Sequence, residues 1–258
     1  MTPDLLEFLK LAPIGFAIGA FGTLVGAGGG SILVPVLLLL KPHATPASLT
    51  SISLAVVFFN AYSGTIAYLR MGRIDYYAGT LFTLAGVPGA ILGAILVHHL
   101  PRVLFDPVFG ALLLLIGGFL VYSPIGTARS EHEGEAMTHL RERMGAVGSA
   151  YIAVFSSLLG IGGGIIHVPF LIRILKMPAH TATATSHFVL TFMALTATLT
   201  HFYFGELGDE IIPTTFLAVG VMMGAPVGAA LSSRVGGTVI VRLLASSLCL
   251  VGLRLILK

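Results

Sequence analysis

The sequence predicts an all-α polytopic membrane protein built from two homologous repeats, each made of a glycine-broken helix or re-entrant hairpin followed by three transmembrane helices. Two observations predict it: an apolar composition and a glycine motif that occurs twice. Of the 258 residues, 56% are hydrophobic and 10% charged, with mean hydropathy +0.98; soluble domains carry roughly a quarter charged residues. The stretch GAGGGSILVPVLL at 26–38 returns as GIGGGIIHVPFLI at 160–172. Gly26, Gly28, Gly29, Gly30, Ile32, Val34 and Pro35 answer Gly160, Gly162, Gly163, Gly164, Ile166, Val168 and Pro169, at a constant spacing of 134 residues (160 − 26). One GxGGG is weak, because glycine is common in membrane helices and permits close packing. Two copies in register, each inside an apolar segment and each followed by Val-Pro, indicate a duplicated unit.

At the N-terminus, Asp4 and Glu7 precede the first apolar run, Lys10 is the only early base and no cleavage site follows. The first segment is therefore read as a retained helix, not a signal peptide. It runs over 9–25, breaks at Gly26–Gly30 and resumes over 31–40. At ~1.5 Å per residue the resumed piece spans about 15 Å, half a bilayer core, so it is a half-helix. A short connection with Lys41, Pro42, His43 and Pro46 leads to a full span over 47–69, with Ser48, Thr50, Ser51 and Ser53 in its first turns and Asn60 at its middle. Spans over 76–97 and 103–122 follow, separated by a loop holding His98, His99, Pro101 and Arg102.

Residues 123–142 change character, with Arg129, Glu131, Glu133, Glu135 and Arg141. This charged connector separates a first repeat at 1–122 from a second at 143–258, and as a solvated run it is given no chemistry. The second repeat has a broken segment over 144–175 and spans over 181–204, 211–231 and 238–257. Beyond the glycines the correspondence loosens: Thr50-Ser51 answers Thr185-Ser186 at 135, and Gly86-Val87-Pro88 answers Gly224-Ala225-Pro226 at 138.

A helix is broken inside a membrane only where its freed amides face protein or a wet cavity. A helix N-terminus offers free N–H groups and a positive dipole end, and glycine lets a ligand approach the backbone. Paired breaks at matching places in two repeats therefore point to an anion site near the midplane of a secondary transporter. Glycines serving only as packing contacts would be spaced one turn apart, whereas here three are consecutive.

The candidate substrate-binding residues are Gly28, Gly29, Gly30, Ser31, Thr50, Ser51, Asn60, Gly162, Gly163, Gly164, His167, Thr185, Ser186 and His187. His167 replaces Leu33 of the first copy, so the two motifs share a fold role without identical chemistry. An intramembrane histidine either meets the anion, carries a proton or donates to a carbonyl. Asn60 either reaches substrate or bonds across helices, and the hydroxyls either line the cavity or cap helices. His201 is read as interfacial, and Arg242 and Arg254 as snorkelling. Adjacent His98 and His99 diverge on a helix, so no metal site is expected, and no cofactor. The single Cys249 excludes an intramolecular disulfide. With cations scattered over short loops, nucleic acid is not an expected partner; the bilayer and a small anion are. An intramembrane hydrolase drawing on Ser31, Ser156 or Ser157 with His167 or His187 remains an alternative without a GxSxG or HExxH motif, as does an anion channel.

Topology turns on the broken segments. If they cross, the repeats are parallel and the bases divide evenly. If they turn back, the repeats are inverted, and Arg70, Arg73, Arg129, Arg141, Arg143, Arg173, Lys176 and Arg234 gather on one side against Lys10, Lys41, Arg102 and Lys258. The second arrangement is the better positive-inside pattern, with a cytoplasmic connector and both termini outside.

The sequence resembles the sulfite exporter TauE/SafE family, through Gly26–Gly30 with Pro35, Gly160–Gly164 with Pro169, the polar helix starts Ser48–Ser51 and Ala182–Ser186, and Gly72-Arg73-Ile74-Asp75. The second half departs at Gly205-Glu206-Leu207-Gly208-Asp209. The resemblance implies an anion transporter in the cytoplasmic membrane of a prokaryote, moving sulfite, sulfonates or related sulfur anions, and no enzyme.

Overall fold

The structure is a computed structural model that describes residues 3–41, 43–122, 139–235 and 237–256. Residues 123–138 of the connector lie outside the described residues. Every described element is helical: α1 (Pro3–Leu24), α2 (Gly30–Leu40), α3 (Pro46–Arg70), α4 (Tyr76–Leu96), a 3-10 turn Val97–His99, α5 (Arg102–Tyr122), α6 (His139–Leu158), α7 (Gly164–Arg173), α8 (Ala179–Tyr203), a 3-10 turn Gly208–Glu210, α9 (Ile211–Ser232) and α10 (Gly237–Ile256). Among the described residues six helices (α1, α3, α4, α5, α8 and α9) are long and apolar enough to cross a membrane.

Local chemistry sets the boundaries. Thr45 caps α3 by accepting from Ser48 N at 3.1 Å, with Pro46 in the first turn where its missing N–H is harmless. Asp75 caps α4 by accepting from Ala78 N at 3.0 Å. The broken segments part where expected, α1 from α2 and α6 from α7. Two helices begin earlier than the apolar pattern: α1 starts at Pro3 and not at 9, and residues 139–142, read as connector, form the first turn of α6, where Glu142 accepts from the Tyr77 hydroxyl at 3.1 Å.

Small residues let backbones meet. Along α1 and α9, Phe8 packs on Phe216, Gly15 on Leu217 and Gly220, Gly19 on Val221, and Gly228 on Ala20 and Leu24, so the two helices run parallel. Along α4 and α6, Gly145 packs on Phe82, Gly89 on Ala150 and Ala153, and Gly93 on Val154 and Ser157, again parallel. In the centre α3 and α8 are antiparallel, since Thr50 nears His201 while Thr65 meets Thr191. α3 also packs on α9, α8 on α4, and α5 on α10.

A side chain at Gly224 would strike the backbone of Phe16 and Ala20, which cannot step aside. Overpacking of this kind costs about 1–3 kcal/mol or more. Gly224→Leu is expected to remove most of the monodisperse protein from size-exclusion profiles in mild detergent; native-like recovery would contradict the close α1–α9 contact.

The ends of the broken segments follow from pairings. Lys41, just past α2, pairs with Glu210 at the start of α9. The Arg102 guanidinium donates to the carbonyls of Ala44 (2.7 Å), Lys41 (3.1 Å) and Leu38 (3.3 Å), satisfying acceptors that a helix C-terminus leaves free. α2 thus ends where α9 begins, and because α9 runs parallel to α1, α2 returns to the end of the bundle from which α1 departs. Tyr77 with Glu142, and Asp75 N donating to Thr185 Oγ1 at 3.0 Å, bring the starts of α6 and α8 to the start of α4, at the other end.

Candidate functional site

Both glycine turns use the left-handed backbone that glycine alone adopts freely, with φ of 76°, 73° and 83° at Gly26, Gly28 and Gly29, and 70°, 74° and 100° at Gly160, Gly162 and Gly163. The turns close each preceding helix: Ala27 N donates to Gly22 O at 2.8 Å, and Ile161 N to Ser156 O at 3.0 Å. The first i→i−4 bonds of the half-helices are Leu33 N to Gly29 O (3.0 Å) and His167 N to Gly163 O (2.8 Å). The amides of Gly30, Ser31, Gly164 and Ile165 therefore have no carbonyl of their own helix to bond, and their positive dipole ends lie inside the protein.

The two turns meet backbone to backbone. A Cβ on Gly30 would stand 2.8 Å from Gly160 O, and one on Gly164 would strike Gly26 O. Val57 and Leu190 both pack against Gly28 and Gly162, and residues 25–31 and 159–165 are buried throughout. In this conformation backbone and two aliphatic side chains, Val57 and Leu190, pack between the turns.

Polar side chains flank the turns at both ends of the bundle. Beside Gly26–Gly30, Thr23 Oγ1 donates to Asn60 Oδ1 at 3.1 Å and lies 3.3 Å from His187 Nε2. Tyr68 donates to Thr23 O at 2.8 Å and stacks edge-on against His187, with centroids 5.5 Å apart. Asn60, Thr23 and His187 are fully buried, and Asn60 Nδ2 has no partner among the described residues. Turning the amide over exchanges which of its two atoms is left over, so Asn60 retains unused hydrogen-bonding capacity either way. Beside the other turn, Ser53 Oγ donates to Gly160 O at 2.6 Å, and Thr50 packs against Gly160.

Of the expected residues, the structure brings together Gly28, Gly29, Gly30, Ser31, Gly162, Gly163 and Gly164 at the crossing, with Asn60 and His187 one turn away. Thr50 donates back to Ala47 O at 3.0 Å, and Ser51 to Ser48 O at 2.8 Å and to Glu206 O at 3.3 Å. Thr185 is occupied as the acceptor for Asp75 N, and it is Thr183 that packs on Gly26 as Thr50 does on Gly160. Ser186 is buried, with its hydroxyl unpartnered among the described residues. His167 faces away from the crossing, pairing its Nε2 with Ser149 Oγ at 3.0 Å beside Phe82. Neither His167 nor His187 pairs with Ser31, Ser156 or Ser157 among the described residues; the serine that His167 meets is Ser149. Among the described residues no three His, Cys, Asp or Glu side chains stand close enough to share a metal.

Sequence reasoning missed Thr23 and Tyr68, and named Ser53 only among the polar residues in the first turns of α3. One signal was present: Thr23 stands three residues before Gly26 as Ser157 stands three before Gly160.

Apolar spans around two internal helix breaks define a multi-pass integral membrane protein of the transporter class. The family model described as "Sulfite exporter TauE/SafE" matches residues 11–255, and the chain belongs to that family. It is 28% identical over 269 residues to the probable membrane transporter protein YunE of Bacillus subtilis (strain 168), covering 97% of this chain and 98% of that protein. A probable membrane transporter protein of Xylella fastidiosa (strain 9a5c) is 31% identical over 223 residues, covering 86% and 82%. The probable membrane transporter protein MJ0441 of Methanocaldococcus jannaschii is 25% identical over 268 residues, covering 97% of each. No solved structure matches the chain. It is a multi-pass membrane transporter in a lipid bilayer, and its family and relatives are described as transporters, not enzymes.

Proposed function

We propose that the protein carries small sulfur-containing anions, sulfite or sulfonates, across the membrane by alternating access, using the amide ends of α2 and α7 as the anion cradle. The observation that carries this reading is the meeting of two buried glycine turns, each opening a half-helix whose free N–H groups start inside the protein. With the turns closed the cradle is covered; parting them exposes amides, the Asn60 side chain and the Ser186 hydroxyl.

Inverted repeats supply the movement. Exchanging α1–α5 with α6–α10 converts the α1–α9 contact into α6–α4, α3–α9 into α8–α4 and α2–α3 into α7–α8, and returns α3–α8 and α5–α10 to themselves. Rocking one repeat against the other about this pseudo-twofold arrangement opens the crossing to either face in turn. Arg70, Arg73, Arg141, Arg143, Arg173, Lys176 and Arg234 lie at the end where α4 and α6 begin, against Lys10, Lys41 and Arg102 at the other, which favours a cytoplasmic connector. A cysteine replacing Glu135 is expected to resist an impermeant thiol reagent in intact cells and to react after lysis; labelling of intact cells would reverse the orientation.

Proteoliposome uptake of labelled sulfite, taurine, sulfoacetate, methanesulfonate and chloride tests the function. Saturable uptake of at least one sulfur anion above empty liposomes is expected. Chloride alone moving would point to a different anion class, and single-channel currents would favour the channel alternative.

A further inference from the structure

We propose that His98 and His201, backed by Glu206, form a proton-binding site at the end of the bundle where α9 begins, and that it couples proton movement to the anion. The inference rests on the transport reading and adds to it the coupling ion and its seat.

Two regions remote in sequence converge there: the Val97–His99 turn, and the last turn of α8 with the connection that follows it. The two imidazole centroids stand 5.5 Å apart, and Glu206 Oε1 lies 3.2 Å from His98 Nδ1. Exposure falls along the series, from the Glu206 and His98 side chains (25% and 19%) to His201 (0%). Inward of His201, its Nε2 is 3.5 Å from Thr50 Oγ1. Thr50 in turn rests on the glycine turn: a Cβ on Gly160 would stand 2.9 Å from Thr50 Cα. One continuous line of side chains thus leads from the rim to the crossing.

The pairing is incomplete in an informative way. His98 Nε2 and His201 Nδ1 are buried and have no partner among the described residues. The buried Nδ1 atoms of His167 and His187 are unpartnered among the described residues too, so what sets this pair apart is that its rings stand side by side with a carboxylate in contact. A ring with a vacant nitrogen next to another such ring is able to take up a proton and hand it on.

The charged groups nearby are engaged elsewhere or exposed. From α3 the group facing His201 is Thr50, and Ser51 beside it donates to backbone carbonyls. Lys41 is engaged with Glu210, and Arg102 with the α2-end carbonyls and with Asp106 at 3.7 Å. His43 and His99 are exposed. Phe204 covers the His98 ring, centroids 4.7 Å apart, and keeps solvent from that face. Among the described residues Glu206 is the carboxylate that touches the pair, through His98.

In the coupled step a proton from water binds at the His98–Glu206 pair and passes to His201. The resulting imidazolium places one positive charge a single hydroxyl away from the Gly160 turn as the anion docks. When the crossing opens to the other face, water entering it takes the proton from His201 as the anion leaves, so one proton accompanies each monovalent anion and no net charge moves.

The test is the end point of accumulation, which depends on coupling and not on turnover. Native protein, His201→Gln and His98→Gln are reconstituted into liposomes and given labelled methanesulfonate, whose sulfonate does not titrate near neutrality, with labelled sulfite in parallel. At equal pH on both sides, native uptake above empty liposomes tests the transport reading; none with either anion would overturn that reading and the coupling with it. With the medium one pH unit more acidic than the lumen, native protein is expected to accumulate the anion about tenfold, the ratio set by one coupled proton. His201→Gln, which retains a hydrogen-bonding side chain for Thr50 but holds no proton, is expected to stop at the ratio it reaches at equal pH, and His98→Gln likewise. Native uptake without a pH-driven excess would overturn the coupling alone. Equal excess in native protein and both variants would overturn its assignment to these histidines.

Discussion

Leucine in place of Gly163 is expected to lower sulfur-anion flux in proteoliposomes at least tenfold while leaving the protein in the membrane. Gly163 holds φ at 100° as the cap of α7. A left-handed conformation costs an L-residue roughly 1–2 kcal/mol, so leucine there disfavours the turn that presents the α7 amides. The side chain would also start 3.1 Å from Ser156 Oγ and cover the amides that open α7. Gly118→Leu is the control, because a Cβ at Gly118 meets nothing within 4 Å and its backbone is not in the left-handed region. Native-like flux for both variants would remove the glycine turn from the mechanism.

Leucine in place of Asn60 separates substrate contact from structural bonding. The exchange removes the Thr23–Asn60 hydrogen bond and, with it, a fully buried amide that has a polar atom to spare. Thr23 keeps its contact with His187 Nε2 at 3.3 Å. A net hydrogen bond is worth about 0.5–1.5 kcal/mol, and relieving an unsatisfied buried group returns a similar amount. The melting temperature is therefore expected to stay within a few degrees of native, while sulfur-anion flux falls about tenfold or more. Unchanged flux with a lowered melting temperature would make the Thr23–Asn60–His187 cluster a purely structural tie between α1, α3 and α8.

How much of this is legible in the sequence differs by level. The broken helices at Gly26–Gly30 and Gly160–Gly164 can be read because consecutive glycines in an apolar run weaken a continuous helix, and the duplication pairs the two breaks. The crossing itself is less legible. Gly164 against Gly26 O, and Gly30 against Gly160 O, are contacts between the two halves, and local pattern carries no record of them. His167 illustrates the limit: its position after Gly164 is readable, but whether it faces the crossing or Ser149 depends on how α6 and α7 fold together. Aligning Thr50 with Thr185 matches residue types, whereas packing matches Thr50 with Thr183, two residues earlier. His98, His201 and Glu206 read as loop or interfacial residues because each is ordinary alone. Their convergence comes from the antiparallel course of α3 and α8 and the return of α4 to the same end.

Counterflow tests the central claim most directly. Proteoliposomes loaded with a high concentration of unlabelled sulfite or sulfonate, at equal pH on both sides, are diluted into a trace of the same anion carrying label. A carrier whose single site faces each side in turn is predicted to take up label transiently above its outside concentration, and Gly163→Leu to show no overshoot. Label that rises only to equilibrium in native protein, with rapid anion flux, would contradict alternating access at the glycine crossing and leave an open conduit in its place.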